Sequence, residues 1–405
     1  MIRGSGRLPR GTTLDVQLHR RMVLAGLGYA GLAGCAPGAA IIPSPTRPVF
    51  QRRVFAPLLT DPGRLSRITV CTRPFRAQGP RIEVETIGDK RVVHNYGHGG
   101  SGWSLAWGSA AAARDLALEG SQRQVAVIGC GALGLTAALQ ILRAGAPVVI
   151  YAAERTPYTR SARATGVWSP DSRIAAESAV SVDFPARWEA MARRSWVDHH
   201  AFVGLDGDPV KFIDQYSLHD KPGGGGSVGP EPTSGRVGFV RYGDRLNDLT
   251  PHSRALRRDE HPFPVATAEI GPVMTFNVAE YARQLTEAFL MEGGRIVQRV
   301  FNHPSELAAL VEPVIVNCTG YGARALFGDE SVIPVRGQIA WLPPQPELTY
   351  AIWYRGIGMV PRADGIVIQA NGRSQMVGYG VTGETPDRAE AEQALAALAT
   401  LYASA

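Results

Sequence analysis

Residues 123–154, RQVAVIGCGALGLTAALQILRAGAPVVIYAAE, decide the fold. Gln124 to Ile128 is an apolar run without alternation, the pattern of a strand buried on both faces. It runs into Gly129-Cys130-Gly131-Ala132-Leu133-Gly134, then a helix from Ala132 to Ala144, then a second strand within 146–154. Short connections of this kind predict parallel strands joined by a right-handed crossover. Each glycine has a task in that context. Gly129 permits the tight turn, Gly131 lets a pyrophosphate approach the backbone, and Gly134 lets helix and strand pack. The helix start adds amide donors and a positive dipole end, and Glu154, at the close of the second strand, is placed to accept hydrogen bonds from ribose hydroxyls. The unit predicts a dinucleotide site and does not separate FAD from NAD.

Outward from this unit, 405 residues exceed what one hydrophobic core usually serves, so interleaved domains are expected. The net charge is +6, but residues 1–34 hold five arginines against one aspartate, which leaves +2 for the remainder. The basic excess is local and does not imply nucleic acid. Those arginines, ending in Arg20-Arg21, precede the apolar run Met22 to Gly34, which is too short to span a bilayer and suits a signal sequence. The pair resembles a twin-arginine export signal. Leu32-Ala33-Gly34-Cys35 resembles a lipobox, in which the cysteine is acylated. The expectation is export to the periplasm or cell envelope with a lipid anchor at Cys35, a cytoplasmic protein being the alternative. Cys71, Cys130 and Cys318 lack metal-ligand spacing and read as small buried thiols.

Residues 36–48 form a Pro/Ala linker. The pieces RIEVET and KRVVHNY around IGD predict a hairpin, and Ser109 to Leu118 an alanine-rich helix. Further helices are expected over Phe184 to His199, Asn277 to Glu292, SELAALV at 305–311 and Arg388 to Tyr402, with strands GRIVQRV and PVIVNCTG. The tract 221–230, KPGGGGSVGP, reads as a solvated surface loop.

The loop HNYGHGGSGWSLAWG, 94–108, closely resembles the flavin-ring loop of the D-amino-acid oxidase family of FAD-dependent oxidoreductases. The segment 153–170, AERTPYTRSARATGVWSP, resembles that family's ribose-binding acid-Arg pair and the run that passes the flavin. IVQRVF, VIVNCTGYGARAL, RGQI and CTRPFRAQGPRIE resemble its adenine-side, cofactor-closing and substrate-pocket strands. In the family the Arg-Pro segment and the HNYGHGG loop end the chain, whereas here they come first. The chain therefore looks circularly permuted, a change tolerated where termini lie close together at the surface.

The resemblance implies an α/β fold, with a Rossmann-type FAD-binding domain and an interleaved α+β substrate domain. The expected divisions are signal 1–34, linker 35–60, permuted segment 61–120, FAD-binding parts 121–185 and 295–330, substrate parts 186–294 and 331–357, and a return to the FAD domain over 358–405. It implies FAD as cofactor, held by Gly129, Gly131, Ala132, Leu133, Gly134, Glu154, Arg155, Ser161, Thr165, Gly166, Val167, Phe301, Thr319 and Gly320. In the first loop Gly99, Ser101, Gly102, Trp103 and Ser104 would offer backbone donors to a flavin carbonyl that gains negative charge on reduction. Arg73 would pair with a substrate carboxylate through two parallel hydrogen bonds, assisted by Tyr354, while the Gly100 carbonyl orients the amine. The implied reaction is oxidation of a D-amino acid by oxygen, with hydride passing from Cα to flavin N5, giving a keto acid, ammonia and peroxide. His98 is expected to serve the loop's packing rather than act as a base. Gly358 stands where the family carries a second carboxylate-binding tyrosine, a departure that Trp353, Tyr350 or Arg355 would have to compensate. The alternatives are a dehydrogenase that passes electrons to a membrane acceptor, and a flavin-binding lipoprotein without turnover.

Overall fold

The computed structural model describes residues 55–120, 123–222, 236–372 and 374–403. The expected signal, Cys35 and the Pro/Ala linker lie outside these residues, as does most of the glycine tract 221–230. In chain order the strands and helices are β1 (Arg67–Arg76), β2 (Arg81–Ile87), β3 (Lys90–Tyr96), α1 (Ala106–Leu118), β4 (Val125–Ile128), α2 (Ala132–Arg143), β5 (Val148–Ala152) and α3 (Phe184–His200). Then come β6 (Val210–His219), β7 (Arg254–Leu256), β8 (Thr267–Phe276), α4 (Val278–Met291), β9 (Arg295–Gln298), β10 (Val314–Asn317) and α5 (Ala323–Leu326). The chain continues with β11 (Val332–Leu342), β12 (Tyr350–Tyr354), β13 (Ile357–Arg362), β14 (Gly365–Ala370) and α6 (Arg388–Ala399).

The six-stranded sheet has the order β2-β3-β10-β4-β5-β9, parallel throughout except for the β2 edge. The unbroken apolar run of β4 is explained by cover on both faces. Val125 and Val127 pack with α1, α2 and α4, while Ala126 and Ile128 pack against Leu307, Leu310 and Ile315. Alanines 106, 110, 113 and 117 recur at spacings of four and three, which puts them on one face of α1 within the same core as α2.

The eight-stranded sheet has the order β1-β11-β14-β13-β12-β6-β8-β7 and is antiparallel except between β12 and β6. Residues 67–96 thus serve both sheets: β1 forms the edge of the larger one and β3 lies inside the smaller. Side chains alternate along β12. Tyr350, Ile352 and Tyr354 enter a core shared with Ala391, Leu395 and Leu398 of α6, whereas Trp353 faces the other way.

One expected helix is corrected. SELAALV folds as a 3-10 helix over Pro304–Ala309. Pro304 sets its first turn, and Glu306 Oε1 accepts from the His303 amide at 2.9 Å in a capping box. Pro313 shortly afterwards removes a backbone donor and stops any extension.

Candidate functional site

A cavity of about 880 Å³ is lined by residues of both sheets and of both glycine loops. At its nucleotide end stand Gly129, Gly131, Ala132, Leu133, Glu154, Ser161, Phe301, Thr319 and Gly320. Gly134 sits behind them, where a Cβ would lie 2.0 Å from the Gly129 carbonyl oxygen, so only glycine lets α2 meet the strand end. α2 starts without a side-chain cap from Gly131 and without an acid in its first turn. The Ala132 amide donates to Ser161 Oγ at 3.1 Å, while Leu133 N–H has no acceptor among the described residues. An uncapped helix start that faces a cavity is a site for an anion. Glu154 lies exposed on the same lining, with no ion pair among the described residues, and fits a ribose. Arg155 is outside the lining; its guanidinium reaches instead to the Ile296 carbonyl at 3.2 Å.

The first loop needs a correction to its donor set. The amides of Gly99, Gly100 and Ser101 are already engaged, by Pro74 O, Ser172 O and His98 O at 2.8, 2.9 and 2.9 Å. Gly99, at φ 54°, lies so close to the 172–173 backbone that a Cβ would fall 1.9 Å from Arg173 O. Ser101 is wholly buried behind the loop, its hydroxyl donating to Ser169 O at 3.0 Å, and is not part of the lining. The amides without an acceptor among the described residues are those of Gly102, Trp103 and Ser104, at the entry to α1, and all three residues line the cavity. The donor cradle is thus shifted toward the helix start, where the dipole favours a carbonyl gaining negative charge. Gly100 also lines the cavity, and its carbonyl accepts no hydrogen bond among the described residues.

Ser161 joins the two loops. Its Oγ takes the Ala132 amide, and its carbonyl takes the Trp103 indole N–H at 2.8 Å. Thr165, Gly166 and Val167 line the cavity beyond it, and Gly166 O accepts from Phe276 N at 2.8 Å.

Sequence reading missed the buried prop of the first loop. Trp107 Nε1 donates to Tyr281 Oη at 2.7 Å; that oxygen is 2.8 Å from His199 Nδ1, and His199 Nε2 is 3.1 Å from Trp103 O. This chain pins the residue that carries one of the free amides. Burial pushes His199 down to about 3, so the neutral imidazole donates at Nε2 and accepts at Nδ1. His98 is also pushed down to about 3 by burial; its Nε2 meets Ser109 Oγ at 2.8 Å, and its Nδ1 has no partner. A ring held so far below neutrality is a poor general base.

At the substrate end, Arg73 projects from β1 across Gly337, where a Cβ would lie 2.4 Å from the guanidinium carbon. It donates to Arg336 O at 3.2 Å, has no carboxylate partner among the described residues, and is pulled below its ordinary value by burial. Tyr354 is a miss. It stands one position out of phase on β12, buried with α6, and its hydroxyl donates to Asp220 at 2.8 Å, away from the cavity. Trp353 lines the cavity instead, pairs across the strands with Gly358, and lies 3.6 Å from where a Gly358 Cβ would be. The indole thus fills the room next to the absent tyrosine. Tyr350 and Arg355 do not compensate: Tyr350 donates to Ala56 O at 2.9 Å, and Arg355 pairs with Asp220 at 2.7 Å. Arg173, Arg241, Gln215, Gln369 and Gln375 also face the cavity and had no local signal in the sequence. Cys71, Cys130 and Cys318 are free, buried thiols.

The family model described as FAD dependent oxidoreductase matches residues 124–405. Among curated relatives, a D-amino-acid oxidase of Streptomyces coelicolor is 28% identical over 218 residues, covering 53% of this chain and 58% of that protein. One from Rubrobacter xylanophilus is 31% identical over 216 residues, covering 53% and 57%. The chain thus spans little more than half the length of these relatives. Among solved structures, glycine oxidase from Geobacillus kaustophilus is similar at 15% identity and a TM-score of 0.48, covering 69% of this chain and 78% of that one.

Proposed function

The chain belongs to the family of FAD-dependent oxidoreductases, and from that premise we propose that it oxidises D-amino acids to keto acids and ammonia, with oxygen as acceptor and peroxide as product. The observation that carries the reading is Arg73, a largely buried guanidinium without a carboxylate of its own, on the same cavity as both glycine loops. The D configuration is taken from the activity named for the relatives.

When bound, FAD supplies the two-electron acceptor. The residues that would hold it are the α2 start and Glu154 on the nucleotide side, and the amides of Gly102, Trp103 and Ser104 on the ring side. Arg73 binds the substrate carboxylate, and the Gly100 carbonyl accepts from the amine. Together they fix the Cα–H direction without a side-chain base, and the reaction gains its rate from positioning. His98, neutral and buried, takes no proton from an ammonium group, so the substrate reacts as the free amine. Trp353 covers the wall beside Gly358, next to the place a tyrosine would occupy. A panel of D- and L-amino acids, read for peroxide and for dye reduction, tests this. Peroxide with D-enantiomers supports it, dye reduction without peroxide moves the chain to the dehydrogenases, and neither signal removes the proposed activity.

Circular permutation is part of the same proposal. The matched residues begin at β4, yet β1, β2 and β3 precede them and complete both sheets. The joined ends are neighbours, since Tyr350 Oη meets both Ala56 O at 2.9 Å and Tyr402 Oη at 3.1 Å. Export and acylation of Cys35 belong to the proposal as well. A Cys35→Ser chain that stays with membranes as fully as the parent would rule the anchor out.

A further inference from the structure

We infer that the preferred substrate carries a second acidic group, so that it is an amino dicarboxylate rather than a neutral amino acid. The inference rests on the proposed reading of the cavity. Four guanidinium groups line the cavity without a carboxylate partner among the described residues: Arg299, which lies over the Phe301 ring at 4.6 Å on the nucleotide side, and Arg73, Arg173 and Arg241. Arg160 and Arg163 line it too, and they share the one carboxylate of Glu384 at 2.7 and 3.0 Å. Arg173 and Arg241 meet at Gln375, whose backbone carbonyl takes Arg173 Nε and whose amide oxygen takes Arg241.

Arg173 is only 2% exposed. Its Nε donates to Gln375 O at 2.6 Å, whereas Nη1 is 3.4 Å from Ser172 Oγ and Nη2 is 3.5 Å from both oxygens of Asn371. The outer edge of this guanidinium is thus held only by neutral oxygens at the limit of hydrogen bonding. Burial, and after it the charges of Arg73 and Arg241, hold Arg173 well below its ordinary value. Arg241 stands exposed at the rim, with the Gln375 amide oxygen as its acceptor. A buried cation without a counter-ion is costly. One carboxylate suffices for Arg73, and a second, on the substrate side chain, would take the outer edge of Arg173 with Arg241 closing over it. Asp171 also lines the cavity; its Oδ2 accepts from the Tyr242 amide at 3.1 Å, and it makes no ion pair among the described residues.

The test uses the flavin-loaded full chain. Steady-state kinetics would compare D-aspartate and D-glutamate with their uncharged amides, D-asparagine and D-glutamine. Calorimetric titration would compare succinate with butyrate. A charge-assisted pair lost with the acid predicts a preference of about tenfold or more in kcat/KM for the diacids, and a similar margin for succinate. Arg241→Gln, at the exposed rim, should shrink both margins, and Arg173→Gln should remove them. If the buried variant does not fold, the rim variant and the titration still decide. Equal use of acids and amides, with succinate binding no tighter than butyrate, overturns the inference while leaving D-amino-acid oxidation in place. A succinate margin without turnover of any D-amino acid supports the anion site and rejects the proposed activity.

Discussion

His98 and His199 are imidazoles without access to solvent, and burial pushes both down to about 3. In the unfolded chain each returns to about 6.5. The folded value is the lower one, so the unfolded state binds more protons between those limits. Stability is complete above about pH 6.5 and falls as the pH drops, by up to about 1.4 kcal/mol per pH unit for each ring. Lowered carboxylates such as Asp329 and Glu384 act in the same direction only at more acid pH, so the interval from about pH 6.5 to 5 isolates the histidines. Melting temperatures measured across that interval should fall steadily. His94 and His261 are also held below their ordinary value by burial, so His199→Gln should lower the slope by roughly a third, and an unchanged slope would exclude His199 as one of its sources.

At the scale of elements, the α2 start and the entry to α1 are held together by Ser161. Ser161→Ala removes the hydroxyl contact to Ala132 while leaving the carbonyl that receives Trp103. Loss of one such bond costs about 1 kcal/mol, so FAD affinity should fall about fivefold, as read by flavin fluorescence on dilution. No change would mean that the bridge is incidental. The βαβ unit around α2 was legible because three glycines, a buried strand and an acid at the next strand end are local signals that all demand one geometry. β6 and β8 were not read, because residues 205–275 have no comparable signal and their burial depends on each other and on β12. Resemblance selected Tyr354, but the pleat turned it toward α6 and gave its neighbour Trp353 to the cavity. Of the amides expected from the first loop, those of Gly102, Trp103 and Ser104 are free, whereas those of Gly99 and Ser101 are consumed by Pro74 O and His98 O, contacts that no local pattern announces. Arg173 and Arg241 arrive on irregular segments, where no period marks their direction.

Across the whole molecule, β3 lies between β2 and β10 although it precedes β4 in sequence, so the parallel sheet cannot close without the residues before the matched region. A chain rearranged to run from 123 to 403 and then, through a short linker, from 55 to 120 should fold, bind FAD and keep its substrate preference. Failure of that chain to take up FAD would count against the permutation. The central claim is that both glycine loops and Arg73 serve one bound FAD and one substrate carboxylate. Its most direct measurement is anaerobic mixing of the yellow, flavin-loaded protein with a D-amino acid, beside the Arg73→Ala variant. Rapid bleaching of the parent, with a variant that stays yellow and bleaches at least about a hundredfold more slowly, is the predicted result. Equal bleaching of the two proteins, or bleaching of neither, would contradict it.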